Sequence, residues 1–282
     1  MKIIFVSLLL FSISTIAAED PFAGVTIKAH QITESIYALE GLGGTVGVSV
    51  GADGVMMIDS QYQPLSGRLW SAIQALGKGG PDFLVNTHYH GDHVGGNQHF
   101  KGGALVMSHD NVRERLAAED KSGLPDLTYS ENANFYFNGD HIHLKFAPAA
   151  HTDGDTIVFF KSANVVHMAD IFWNGKFPRI DLKAGGTVAG YTNAVVSVLA
   201  EIDADTRVIG GHGNPVVADQ KALKRFLDML KHSTAHVQSA IKRGDSIDQV
   251  VADGMGQEWA SWGTGYINEA AWLKTLYTDL SD

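Results

Sequence analysis

Residues 87–96 read Thr87-His88-Tyr89-His90-Gly91-Asp92-His93-Val94-Gly95-Gly96 and follow directly on the apolar run Phe83-Leu84-Val85. Four side chains able to ligate a metal fall within six residues of one another. In an extended or gently turning segment, residues two apart face the same way. His88 and His90 can therefore reach one ion while Asp92 and His93 reach a neighbouring one. Gly91, Gly95 and Gly96 let the backbone wrap closely around such ions. A lone histidine in a polar loop is usually just solvated, but so dense a set of imidazoles points to a shared metal.

Two ions need more donors than one loop supplies, and three further residues stand at turns beside strands. His151 lies in Ala149-Ala150-His151-Thr152-Asp153-Gly154-Asp155, Asp170 ends the apolar stretch 165–169, and His212 lies in Gly210-Gly211-His212-Gly213-Asn214-Pro215. Singly, each reads equally well as a turn residue. Together with the first cluster they complete a set of five histidines and two aspartates. A carboxylate closing a buried strand is costly unless it faces a cation, and the two oxygens of Asp170 suit it to bridge two ions.

Outward from the motif, short β-rich runs at 25–31, 35–40, 45–50 and 54–59 predict an antiparallel opening. Helices then alternate with strands: helix 65–76, strands 82–86 and 104–107, helix 109–118. A second β-rich stretch covers 141–146, 156–160 and 165–168. A helix over 188–202, a strand at 207–209 and helices from 218 onward follow. Strands in both halves with helices outside predict an α/β fold, a four-layer αββα sandwich with functional loops along one edge. The helix over 218–242 carries Leu223, Phe226, Leu227 and Leu230 at helical spacing, which reads as a packing face.

The run His-x-His-x-Asp-His followed by Gly-Gly, with a later His, Asp and His at strand ends, resembles the metallo-β-lactamase superfamily over residues from about 25 to 220. The resemblance implies two zinc ions, one on His88, His90 and His151 and one on Asp92, His93 and His212, with Asp170 between them. It also implies that a water or hydroxide between the metals is the nucleophile, with Asp92 helping to move protons. A bound metal lowers the pKa of water from 15.7 to ~7, so no serine or cysteine nucleophile is needed. The spacing from His151 to His212 resembles that of secreted lactamases, whose cysteine position is here Asp170. His93 with a bridging Asp170 instead resembles glyoxalase II and lactonases. Where those lactamases place a lysine for the drug's carboxylate this chain has Trp173, with Lys176 and Arg179 as substitutes. The implied activity is hydrolysis of a carbonyl compound, a β-lactam amide or a lactone or ester. A mononuclear-iron sulfur dioxygenase and a metal-dependent phosphodiesterase are the alternatives.

Other residues have plainer readings. His141 and His143 repeat the His-x-His pattern but, in an alternating strand, form one polar face. His99, His109 and His167 read as ordinary. Phe172, Trp173, Phe177 and Tyr191 follow Asp170 closely enough to line an apolar pocket. Trp259, Trp262, Tyr266 and Trp272 are expected to anchor the last helices or a dimer contact.

Composition bounds the rest. Residues 1–18 carry Lys2 as their only charge, an apolar run from Ile3 to Phe11, and Ala17-Ala18 before Glu19, which reads as a secretory signal peptide. The remaining chain, residues 19–282, is long enough for one catalytic domain with a sizeable core. No stretch is long enough to span a bilayer, so no stable membrane anchor is expected after cleavage, and the product is periplasmic or secreted. With no cysteine, disulfides are excluded even in an oxidising compartment. The net charge of -10 argues against a nucleic-acid partner and for a small-molecule substrate, and the signal peptide favours an external one such as an antibiotic. A monomer or homodimer fits this reading.

Overall fold

The computed structural model describes residues 20–77, 79–119 and 121–281; the expected leader lies outside the described residues. The first sheet runs in the order β1 (Lys28–Gln31), β2 (Ile36–Glu40), β3 (Val46–Gly51), β4 (Gly54–Ile58), β5 (Phe83–Val85), β6 (Leu105–His109) and β7 (Leu127–Tyr129). Its first four strands pair antiparallel, and β4 to β7 pair parallel. The second sheet contains β8 (Asn132–Phe137), β9 (Asp140–Ala147), β10 (Asp155–Phe160), β11 (Val165–Asn174), β12 (Arg207–Gly213) and β13 (Val217–Asp219) in reverse spatial order. Within it β11 and β12 pair parallel.

The alternation of β4 shows why the sheets stack. Met56 and Ile58 face the second sheet, where they meet Ile142, Leu144, Val158, Phe160 and Ile209. Val55 and Met57 point the other way, onto Leu69 and Ile73 of helix α1 (Ser66–Ala75) and onto Phe100. A strand apolar on both faces must be covered twice. Each fully buried side chain of this size contributes about 1.5–3 kcal/mol. Short helices α2 (Gly91–Val94) and α3 (Asn97–Phe100) follow β5, and α4 (Asp110–Ala118) follows β6. The outer face of the second sheet is covered by α5 (Val188–Leu199), α6 (Gln220–Arg243), α7 (Ile247–Asp253) and α8 (Glu269–Ser281). The layers are therefore αββα, as expected. Leu223, Phe226, Leu227 and Leu230 form the buried face of α6. Among the described residues no helix is long and apolar enough to cross a membrane.

Three expectations need correcting. Asp170 does not end its strand: β11 continues to Asn174 through a register irregularity at Ala169, whose φ is +45°. The run Gly210-Gly211-His212 is not a loop but the second half of β12. A side chain at 211 would put its Cβ 2.3 Å from the Asp170 carboxylate, so glycine here permits a close approach rather than a turn. The segment after β5, expected to open into a loop, carries the short helices α2 and α3. Strands β7, β8 and β13 had no clear signal. All three are edge strands, β7 and β13 are only three residues long, and the outward positions of β8 are exposed.

Candidate metal centre

All seven residues expected to bind metal converge at one edge of the sandwich, where β5, β11 and β12 end or bend. They form two adjoining groups: His88, His90, His151 and Asp170, and Asp92, His93 and His212. Asp170 reaches both, with one oxygen 3.5 Å from His151 Nε2 and the other 3.0 and 3.2 Å from the Nε2 atoms of His93 and His212.

The hydrogen bonds behind the imidazoles assign their protons. His151 Nδ1 donates to the Arg179 carbonyl at 2.7 Å, leaving Nε2 as a bare lone pair. His90 Nε2 donates to Asp181 at 3.0 Å, freeing Nδ1. The Thr87 hydroxyl gives its proton to Asp59 at 2.7 Å, so the His88 Nδ1–H, 3.1 Å away, donates to its oxygen and Nε2 is free. The three lone pairs face one another: His90 Nδ1 lies 3.1 Å from His88 Nε2 and 2.8 Å from His151 Nε2. No proton is left to sit between them. Around a tetrahedral zinc with Zn–N near 2.05 Å, such nitrogens stand ~3.3 Å apart. Burial, reinforced by neighbouring imidazoles, holds His88 well below its ordinary pKa and His151 down to about 4. Burial also lowers His90 despite the Asp181 contact. The trio is neutral at pH 7, the form in which imidazole ligates metal.

The second group is charged. Burial alone would lower His93, but the carboxylates of Asp170, Asp92 and Asp59 lift its pKa well above normal. His212 is carried against burial to about 9, chiefly by Asp170. Burial would raise Asp170 and Asp92. The facing imidazolium groups instead hold Asp170 well below the usual carboxylate range and Asp92 below it. His93 Nδ1 donates to Asp59 at 2.7 Å. Its Nε2 and the facing Asp170 oxygen are both buried without a hydrogen-bond partner. Atoms so orphaned, aimed at a common point beside a second carboxylate, fit a divalent cation. Gly44 makes room, since a Cβ there would stand 2.2 Å from the His93 ring.

Sequence reading missed the residues that orient the ligands. Asp59 takes the Thr87 N–H and hydroxyl and the His93 ring proton; Asp181 takes His90, the Tyr89 hydroxyl at 3.3 Å and Arg179 at 2.9 Å. The signal for Asp59 was present, because it is a carboxylate directly after the buried strand β4, the pattern expected of Asp170. Asp181 offered none.

The ligands floor a cleft of ≈ 460 Å³ whose walls include Phe22, Leu42, Tyr62, Trp173, Arg179 and Tyr266. Trp173 lies against the His212 ring, centroids 4.2 Å apart. Of the four aromatics expected here only Trp173 lines it. Phe172, Phe177 and Tyr191 are fully buried with the outer helices, because β11 turns its continuation into that layer. Lys176 bonds Thr264 instead of facing the cleft. Trp259, Trp262 and Trp272 pack in the core, and Tyr266, 78% exposed, stands at the rim. His141 and His143 share the Asn134 side-chain oxygen, each at 2.9 Å, away from this site. His99 packs on Trp70, His109 caps α4, and His167 meets the Thr45 carbonyl.

Comparison with known proteins bears on the family and the fold. The family model described as metallo-beta-lactamase superfamily matches residues 39–212. A metallo-beta-lactamase type 2 of Elizabethkingia meningoseptica is 19% identical over 213 residues, 72% of this chain and 85% of that one. Among solved structures, a metallo-beta-lactamase from Pontibacter korlensis has a TM-score of 0.64 at 18% identity, over 73% of this chain and 99% of its own. A stereoselective inverting sec-alkylsulfatase from Pseudomonas sp. has a TM-score of 0.73 at 14% identity, over 89% of this chain and 50% of its own.

Proposed function

The chain belongs to the metallo-β-lactamase superfamily, and from that premise we propose that it is a binuclear zinc hydrolase opening a β-lactam, lactone or other ester bond. The observation that carries the reading is the set of inward lone pairs beside orphaned, oppositely charged atoms, spanned by Asp170. His88 Nε2, His90 Nδ1 and His151 Nε2 would hold one ion, Asp92, His93 Nε2 and His212 Nε2 the other, and Asp170 both. Ions bound there would make a water acidic enough to attack at neutral pH and would polarise a carbonyl.

The chain's own residues do the rest. Asp92 borders the cleft and is ionised at neutral pH, so its carboxylate can accept a proton and pass it to the leaving group. Asp59 and Asp181 fix which ring nitrogens are free. The apolar walls exclude water from the reacting bond and seat a ring or acyl group, while Arg179 can meet an anionic substituent. With the expected leader, the reading extends to an exported enzyme acting on a small molecule, as monomer or homodimer. Likeness to the sec-alkylsulfatase is one of fold and adds a sulfate ester to the substrates worth assaying.

The test is elemental analysis of the chain expressed from Glu19, with the same sample assayed against a β-lactam, a lactone, a phosphodiester and a sulfate ester. Two zinc ions per chain with β-lactam or lactone opening, both lost in His88→Ala, is the expected result. A single iron with oxygen consumption and no hydrolysis would move the protein to the sulfur dioxygenases.

A further inference from the structure

One wall of the cleft comes from an unexpected place, the turn at residues 20–24 ahead of β1. The turn is internally ordered. The Phe22 N–H donates to Asp20 Oδ1 at 2.9 Å, the Ala23 N–H to the Asp20 carbonyl at 3.1 Å, and the Val25 N–H to the Phe22 carbonyl at 3.2 Å. None of these bonds decides where the turn sits on the molecule. Arg68, in the first turn of α1, does so: its guanidinium donates to the Phe22 carbonyl and, at 3.4 Å, to the Ala23 carbonyl. Both described partners are backbone oxygens, so Arg68 acts as a two-pronged clamp on the chain rather than as half of an ion pair. So held, the Phe22 ring meets Tyr62 edge-on, centroids 5.5 Å apart and planes at 64°. Pro21 and Phe22 thereby line the same cleft as Asp92, Asp170 and His212. Tyr62 in turn follows Asp59, the residue that orients His93, by three positions.

We propose that Phe22 is a specificity-determining residue that packs against the apolar ring or acyl part of the substrate, and that Arg68 is the positioning residue that sets this wall. The identity of the substrate rests on the hydrolase reading above; the wall itself does not. The occupant is an aromatic or acyl group because the side facing the metals' ligands is built from an edge-to-face aromatic pair, with Leu42 and Trp173 also lining the cleft.

Two measurements separate the wall from the chemistry. The first is fluorescence titration of the metal-free full chain with 1-anilinonaphthalene-8-sulfonate, an aromatic anion that needs no metal. Wild type is expected to bind it. Phe22→Ala and Arg68→Gln should weaken the Kd about five-fold, and Arg68→Lys, which keeps a donor for one carbonyl, should recover most of the loss. The second uses the zinc-loaded chain and compares γ-phenyl-γ-butyrolactone with γ-butyrolactone. The KM ratio of the two should shift about five-fold against the phenyl substrate in Phe22→Ala, with the kcat ratio unmoved. A dye Kd and a KM ratio that both stay at wild-type values in Phe22→Ala, or a wild-type chain that binds no dye, overturn the proposal. If wild type opens neither lactone, the lactonase branch of the hydrolase reading is what fails, and the dye titration alone decides the wall. Phe22 and Arg68 are both partly exposed, and thermal melting of each variant checks that the fold is intact.

Discussion

The two halves of the centre lie side by side, yet they solve the problem of buried imidazoles in opposite ways. In the first, burial keeps His88, His90 and His151 neutral, and each outer ring nitrogen spends its proton on a hydroxyl, a carboxylate or a carbonyl. In the second, carboxylates keep His93 and His212 protonated, so the charges balance without help. An ion entering the first half displaces no proton, whereas one entering the second must evict two. The same ligand atoms in the same fold therefore present one ready half and one that competes with acid.

Asp170 joins the halves, and Asp170→Asn should break the comparison most severely. Removing its charge leaves His93 and His212 without their strongest partner in a buried site, which costs about 3–5 kcal/mol. Zinc content should fall below one per chain and hydrolysis should be lost, as read by elemental analysis, melting temperature and rate. Next come the orienting carboxylates. Asp59→Asn should lower zinc affinity of the second half by roughly 10- to 100-fold, and Asp181→Asn that of the first by about 10-fold. Competition with a chromophoric chelator measures both, and equal losses from the two halves by each variant would dissolve the distinction.

The pH dependence of the metal-free protein sharpens it further. His212 has its folded pKa raised to about 9, so its stabilising share is complete below about 6.5 and disappears as pH rises through 9. His151 has its folded pKa lowered to about 4, so stability is undiminished above about 6.5 and falls as pH drops toward 4. A melting temperature that peaks near neutrality, with the alkaline limb reduced but not abolished in His212→Ala because His93 is raised as well, is the expected outcome. Monotonic melting curves across this range would contradict it. The smallest effect belongs to His141→Ala, which should leave zinc content and activity within about two-fold of wild type.

The seven ligand candidates stand out in the sequence because each lies in a local pattern: a dense cluster, a glycine-rich run, a carboxylate against apolar neighbours. The layer order was legible for a similar reason, since strands such as β4 are apolar on both faces. What could not be read depends on contacts between distant segments. Asp181 meets His90 across 91 positions. Phe22 reaches the cleft only because Arg68 holds it there. The bulge at Ala169, which carries β11 past Asp170 and takes Phe172 into the outer layer, leaves no mark in the residue types around it. Asp59 is different in kind, because the argument applied to Asp170 would have found it.

The Thr45 N–H and hydroxyl both donate to the Gly211 carbonyl, at 2.9 and 3.0 Å, across 166 positions of chain. That pair of hydrogen bonds ties the residue just before β3 in the first sheet to the strand that carries His212. During synthesis His88 and His90 emerge more than sixty residues before His151 and more than a hundred and twenty before His212. A partly made or half-docked chain offers metal only the early histidines, and contacts so far apart in sequence are the last and slowest to form. If the centre holds two ions, capture of the second would require the two sheets to have closed on each other, so metal uptake would follow folding rather than trigger it.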